Sequence, residues 1–243
     1  MPTPPTPPAQ ALILAAGRGE RMRPLTDTCP KPLLQVRGQP LMRYPLDALA
    51  RAGVTRVMTN TAWLGEQIEA TFGERLVYSH EGRDFGGALE TAGGIARALP
   101  QLDDVFWVVA GDVFAPDFVF ASEDMASFRA TDALAHLWLV SNPAHNLKGD
   151  FGLATDGHAL NGDGSDGLRH TYSTIGLYRR ALFEPPWCDI PTGNPRGTKA
   201  ALAPLLRRAM DAGRVTASVY TGTWVDVGTP ERLAALNGGL PTH

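Results

Sequence analysis

The sequence predicts an α/β protein, a single domain in three layers around a mixed, mostly parallel central sheet. Three observations carry that expectation. Ala11–Ala16 and Val105–Ala110 are short, continuous apolar runs, the pattern of strands buried on both faces. Strand and helix signals alternate between them. Beyond Ala130 the rhythm changes to strand candidates joined by glycine-rich polar loops, which predicts antiparallel additions.

Each element has its own signal. Ala11–Ala16 opens the domain and stops at Gly17. Leu41–Ala52 carries Leu41, Tyr44, Leu46, Leu49 and Ala52 near helical spacing and ends at Gly53. Pro45 fits only in the first turn of that helix, because proline lacks the N–H an interior turn uses. Arg56–Thr59 reads as a strand, Leu64–Phe72 as a helix closed by Gly73, and Leu76–Ser79 as another strand. Leu89–Leu99 is helical up to Pro100, and Val105–Ala110 runs into Gly111-Asp112. Leu134–Val140, Gly152–Ala154 and Tyr172–Tyr178 follow as strands. Thr198–Ala212 is expected to be helical, Val215–Val219 and Thr223–Val225 to be strands, and Pro230–Leu236 to be the last helix.

Composition narrows the function classes. The chain has 243 residues, 44% hydrophobic and 19% charged, enough apolar material for one sizeable core. A net charge of −3 gives no basis for a general nucleic-acid surface. No apolar run reaches the roughly 18–20 residues of a membrane span. The start of the chain lacks the basic and apolar segments of a secretory signal. Its proline density predicts a disordered tail over residues 1–10, with the folded domain over 11–243. Cys29 and Cys188 show neither metal spacing nor a disulfide framework. The expectation is a cytoplasmic protein without nucleic-acid or membrane partners, a monomer or small homo-oligomer.

Leu12–Pro32 is the most informative stretch. A strand runs into Gly17-Arg18-Gly19-Glu20-Arg21-Met22-Arg23-Pro24, and Cys29-Pro30-Lys31-Pro32 follows. Glycines at 17 and 19 let the backbone approach a ligand, and successive N–H groups in such a turn form a concavity for phosphate oxygens. Arg18, Arg21, Arg23 and Lys31 surround it with positive charge. The loop is not a P-loop, since no Lys-Ser or Lys-Thr follows the glycines. Nor is it a dinucleotide fingerprint, because Met22 stands where the third glycine belongs.

Asp112 and Asp226 each follow a strand candidate, and ligands on parallel sheets lie beyond the carboxyl ends of the strands. Two carboxylates converging on one crevice suit Mg²⁺, which binds through one or two carboxylates plus substrate phosphates. The histidines show no ligand spacing. Asn60 and Trp63 read mainly as packing residues.

Taken whole, Leu-Ala-Ala-Gly-Arg-Gly-Glu-Arg-Met-Arg-Pro-Leu-Thr followed by Pro-Lys-Pro-Leu resembles the signature of the sugar-1-phosphate nucleotidyltransferases. The resemblance runs from about Ala11 to about Leu236, and it extends in particular to the short uridylyltransferases that use N-acetylmuramate α-1-phosphate in bacterial peptidoglycan recycling. It implies a Rossmann-like domain with an antiparallel sugar-binding addition. The implied reaction moves a uridylyl group from UTP to a sugar-1-phosphate, with Mg²⁺ as cofactor. Arg21 and Lys31 are then the catalytic cations, which stabilise charge building on the phosphates.

Nucleotide binding is implied at Ala16, Gly17, Gly19, Glu20, Arg21 and Lys31, and also at Glu81, Glu90 and Thr91. Glu90-Thr91-Ala92-Gly93-Gly94 resembles a family Glu-Thr-Gly-Gly-Gly in which Ala92 replaces a glycine. Glu81 is a candidate acceptor for the uracil N3–H. Trp224-Val225-Asp226-Val227-Gly228-Thr229 matches the distal metal-aspartate motif, so the resemblance assigns the metal to Asp112 and Asp226. On the sugar-phosphate side it implies Asp150, Lys199 and Asp226. Relatives carry their lysine directly before Leu202, where this chain has Ala201, and they often carry Asn where it has Ala110. Two alternatives stay open. One is a glucose- or mannose-1-phosphate nucleotidyltransferase using UTP, dTTP or GTP. The other is a non-catalytic regulatory nucleotide-binding protein.

Overall fold

The computed structural model describes residues 9–238, so the expected tail lies mostly outside the described residues. Ala9 and Gln10 do not belong to that tail. They begin strand β1 (Ala9–Leu14), where the Gln10 amide donates to the Arg56 carbonyl at 3.0 Å.

A seven-stranded sheet forms the middle layer. Its other strands are β2 (Val57–Thr61), β3 (Val77–His80), β4 (Leu102–Ala110), β5 (Ala135–Val140), β6 (Thr171–Arg179) and β7 (Val215–Val219). They lie in the order β7-β5-β6-β4-β1-β2-β3. All run the same way except β6, which is antiparallel to both β4 and β5. Leu134–Val140 is therefore no separate addition but a strand of the main sheet. The antiparallel additions are short ladders, Gln35–Val36 with Gln39–Pro40, Gly152–Leu153 with Ala159–Leu160 and Val113–Phe114 with Val225–Asp226.

Helices α1 (Arg43–Arg51), α2 (Gly65–Phe72), α3 (Glu81–Phe85), α4 (Glu90–Ala98), α5 (Ser122–Arg129), α6 (Ala203–Asp211) and α7 (Pro230–Gly238) supply the outer layers. Strand geometry dictates which residues meet which layer, because successive side chains point to opposite faces. Ala11 and Ile13 of β1, with Val105, Trp107 and Val109 of β4, pack against Leu46 and Leu49 of α1 and Ile68 and Phe72 of α2. Leu12, Phe106 and Val108 face the other way, onto Ile95 of α4 and Leu205, Leu206 and Ala209 of α6. Both faces are covered, which is why β1 and β4 read as unbroken apolar runs. A third cluster joins Met22, Leu34 and Leu41 to Phe114, Val227, Leu233 and Leu236, so α7 closes over the segment after the glycine loop.

Three elements depart from expectation. Helix α6 begins at Ala203, and Thr198–Leu202 is irregular. Pro204 sits in its first turn, where a missing N–H does no harm. Upstream, Asn194 replaces helical bonding. Its Nδ2 donates to the carbonyls of Gly93 (3.0 Å) and Thr198 (2.8 Å), and its Oδ1 accepts from the Thr198 amide at 2.8 Å. Helix α3 is five residues long, too short for a periodic signal. Helix α5 buries only Phe128, so its sequence carries no apolar stripe to read. No helix among the described residues is long and apolar enough to cross a membrane.

Trp107 anchors the first apolar face, with ring centroids 5.1 Å from Phe120 and 5.0 Å from Trp138. Trp107→Ala is expected to lower stability by about 3–5 kcal/mol, the range for emptying an aromatic core site. Urea unfolding should show a reduced midpoint at unchanged slope.

Candidate functional site

From β1 the chain proceeds to β2 and β3 on one side of it, and then places β4 on the other side. The carboxyl ends of β1 and β4 therefore border a topological switch point, where loops leave in opposite directions and open a crevice. The Gly111 amide donates to the Leu14 carbonyl at 2.8 Å and ties the two strand ends together. Two cavities meet here, of about 280 Å³ and 680 Å³, and both are lined by Leu14, Gly17 and Asp112.

The smaller cavity is built from the glycine loop. Gly19, Glu20, Arg21 and Lys31 line it, with Gly228 opposite. Gly19 has φ +67°, and a Cβ there would approach Thr26 Cγ2 and Lys31 Cβ at 3.1–3.2 Å. It is required both by its backbone conformation and by close packing. Its carbonyl accepts from Met22 N and from Thr26 Oγ1, each at 2.9 Å.

The cations divide by what holds them. Arg18 stacks over Trp63, with Cζ 3.8 Å from the ring centroid, and its guanidinium binds the Thr26 carbonyl and Asp27. Arg23 also binds Asp27, whose pKa is lowered chiefly by the hydrogen bond from Arg18. These two shape the loop. Lys31 is buried, 8% exposed, between Pro30 and Pro32, and its Nζ pairs with the Asp112 carboxylate. Arg21 is exposed on the cavity wall, with no ion pair or side-chain hydrogen bond among the described residues.

In the larger cavity Ala16, Glu81, Glu90, Thr91 and Asp150 come together. Glu81 is fully buried. Its Oε1 accepts from Asn60 Nδ2 at 2.7 Å and its Oε2 from the Leu89 amide at 2.8 Å, while Asn60 Oδ1 accepts from the Ala15 amide at 2.7 Å. This chain couples the ends of β1, β2 and β3 to the start of α4. Gly94 makes room for it, since a Cβ there would meet Glu81 Oε1 at 2.5 Å. Burial raises the Glu81 pKa, against the lowering effect of its two hydrogen bonds. Ala92 is buried in the core below and lines neither cavity. Asp150 Oδ2 accepts from the Tyr172 amide at 2.8 Å, and Asp150 Oδ1 from Asn146 Nδ2 at 3.2 Å.

Asp226 and Lys199 stand apart, lining neither cavity. Asp226 pairs with Val113 in the short ladder, and the Val227 amide donates to the Asp112 carbonyl at 3.0 Å, so the two aspartates have adjacent backbones. The Asp226 carboxylate is engaged by Arg232 and lies 3.0 Å from His145 Nε2. Lys199 is exposed on the irregular segment before α6.

Sequence reasoning missed several wall residues. Asn60 was legible only as packing, because its partners come from three separate segments. Tyr172 and Thr174 line the cavity beside a bulge in β6, where register shifts between Tyr172 and Gly176. Thr174 has φ +65°, a strained value for a β-branched residue. Strain of this kind gathers at functional sites. Nothing in Thr171-Tyr172-Ser173-Thr174-Ile175 distinguishes it from an ordinary strand. Arg207 of α6 also lines this cavity, and its neighbour Arg208 gives no hint which of the two turns inward.

A model of the nucleotidyl transferase family matches residues 10–163. Among curated proteins, an N-acetylmuramate α-1-phosphate uridylyltransferase of Neisseria meningitidis is 47% identical over 92% of this chain and 95% of its own. A protein of the same description from Caulobacter vibrioides is 31% identical, over 94% of this chain and 96% of its own. Among solved structures, a Bacillus anthracis chain assigned as a glucose-1-phosphate thymidylyltransferase superposes with a TM-score of 0.75. It is 18% identical and covers 95% of this chain and 94% of its own, a likeness of fold.

The buried Asn60–Glu81 pair generates two expectations. Asn60→Ala leaves the Ala15 amide and Glu81 Oε1 unpaired and should lower stability by about 1–3 kcal/mol in urea unfolding. Glu81 holds its proton in the folded protein at pH values where the unfolded chain has lost it. Its contribution to stability therefore falls as pH rises from the ordinary glutamate range through its raised folded pKa. Urea midpoints measured across that window should carry this downward component in the wild type and lose it in Glu81→Gln.

Proposed function

Because the chain belongs to the nucleotidyl transferase family, we propose that it moves a uridylyl group from UTP to a sugar-1-phosphate, with N-acetylmuramate α-1-phosphate as the sugar. The products are a UDP-sugar and pyrophosphate, and the setting is peptidoglycan recycling in the cytoplasm. Convergence of the Gly17 loop, Lys31 and Asp112 on one crevice is the observation that carries the reaction class. The choice of base and sugar is supported by the likeness to the Neisseria protein.

In this reading the triphosphate runs along the backbone of Gly17–Arg21, and the base lies beside Ala16, Glu90 and Thr91. An oxygen of the sugar phosphate attacks the α-phosphorus. The new P–O bond forms as the bond to the α–β bridging oxygen breaks, and that electron pair leaves with pyrophosphate. A phosphate monoester loses its second proton near pH 6, by analogy with phosphorylated side chains, so the attacking oxygen needs no general base. Negative charge then builds on the non-bridging oxygens and on the leaving group.

Arg21 meets this charge with a planar fork of donors, and Lys31 with a compact point charge. Pro30 and Pro32 fix the segment that carries Lys31. Glu20 borders the same cavity next to Arg21. Asp150 offers an acceptor for sugar hydroxyls, and Lys199 reaches the sugar phosphate only if its exposed segment moves.

Asp112 and Asp226 are the residues that would hold Mg²⁺. They supply hard oxygen donors on adjacent backbones, the donor type this ion takes. Each carboxylate would exchange its present cation, Lys31 for Asp112 and Arg232 for Asp226, to hold it. Among the described residues no group of three or more His, Cys, Asp or Glu is arranged to hold a metal, so phosphate oxygens complete the ligand set in this proposal. The ion supplies positive charge to the phosphate oxygens when bound.

Pyrophosphate release is the decisive measurement, with UTP, dTTP, GTP and CTP tested against N-acetylmuramate, glucose and mannose 1-phosphates. UTP with the muramate phosphate should turn over fastest and require Mg²⁺. Exclusive turnover of another sugar, or nucleotide binding without turnover, would sink the proposal. Lys31→Gln is expected to lower kcat by about 10²–10³-fold, the scale of losing one preorganised donor to a developing charge.

A further inference from the structure

The larger cavity is acidic. Glu81, Glu90, Asp112 and Asp150 line it, and Arg207 is the sole cation among its lining residues. We infer that Arg207 takes the carboxylate of an acidic sugar and so sets the preference for that sugar over neutral ones. The inference rests on the uridylyl-transfer reading above and names the residue that selects the acid sugar.

Arg207 is built for such a ligand. It stands on α6, whose Leu205, Leu206, Ala209 and Met210 are buried, while the Arg207 side chain is partly exposed at the cavity. Its guanidinium lies over the Phe151 ring, with Cζ 5.2 Å from the centroid. On one side Nη1 donates to the backbone and side-chain oxygens of Asn161. Asn161 is itself fixed, since its Nδ2 donates to the Asp211 carboxylate at 3.2–3.3 Å.

One edge of the guanidinium is thus occupied, and its plane is set by stacking. The Nε and Nη2 donors carry no hydrogen bond, and Arg207 pairs with no carboxylate among the described residues. An arginine edge of this kind matches a carboxylate with two parallel hydrogen bonds. An acidic group placed instead beside Glu90 or Asp150 on the same wall would meet like charge.

Asp150 adjoins Phe151 in sequence and offers the complementary contact. Its carboxylate is held by the Tyr172 amide and Asn146, and its remaining lone pairs can accept from sugar hydroxyls. A sugar in this cavity therefore meets an acceptor at Asp150 and a guanidinium fork at Arg207 on the same wall. Muramate differs from glucosamine by a lactyl ether that carries a carboxylate, which is the group this arrangement would bind.

The test compares N-acetylmuramate α-1-phosphate with N-acetylglucosamine α-1-phosphate under saturating UTP. Wild type should favour the acid sugar. Arg207→Gln should raise KM for the acid sugar about 10- to 100-fold, the scale of losing a hydrogen-bonded charge partner. Its kcat, its KM for UTP and its KM for the neutral sugar should stay near wild type. Arg207→Lys keeps the charge without the fork and should restore part of the loss.

Equal change with both sugars would assign Arg207 to packing and overturn the inference, as would no change with either. If Arg207→Gln melts early, Asn161→Ala keeps the guanidinium and releases its anchor. That variant should raise KM selectively for the acid sugar, and an unselective effect counts against the inference. Wild type that accepts only neutral sugar phosphates overturns both this inference and the muramate reading. Wild type that prefers the acid sugar, with Arg207→Gln retaining that preference, overturns the inference alone.

Discussion

The pairing of Lys31 with Asp112 joins the two halves of the site, and much of the surrounding structure exists to permit it. Lys31 arrives from the segment after the glycine loop and Asp112 from the end of β4, far apart in sequence. A buried ammonium is unfavourable without an opposite charge beside it. Gly19 is bare so that the lysine stem can lie against the loop, and the flanking prolines remove alternative backbone paths. Gly111 bonds to Leu14 and sets the aspartate at the mouth of the crevice.

A second constraint comes from the other end of the chain. Helix α7 buries Leu233 and Leu236 against Met22, Leu34 and Leu41, and Asn237 bonds the backbone of Gln35 and Arg37. The C-terminal helix thus fastens the segment that carries Lys31. The same segment of chain delivers Asp226, through the ladder with Val113. Packing of α7 and placement of both aspartates are consequences of one arrangement, because the ladder and the helix are separated by only a short turn.

The charges form a division of labour. Arg18 and Arg23 are spent on Asp27, and Arg232 on Asp226, where they fix backbone and carboxylate geometry. Arg21 and Arg207 line the two cavities without an acidic partner among the described residues. Cations of one type, close in sequence, therefore differ in role according to whether an acidic partner already holds them.

The sequence by itself determined the architecture and the reaction class. Apolar runs such as Ala11–Ala16 and Val105–Ala110 can be satisfied only by covering both faces, which imposes parallel strands and outer helices. The order Gly17, Gly19, Arg21, Lys31 is local, so the family likeness it carries is legible in a single stretch. Tertiary structure alone decided the rest. It showed that Asn60 links Ala15 to Glu81, that Thr174 sits in a bulge, that Lys199 lies outside both cavities and that Arg207 faces in. The physical reason is common to all four. Each depends on partners from distant segments or on a backbone irregularity, and neither leaves a periodic trace in the chain.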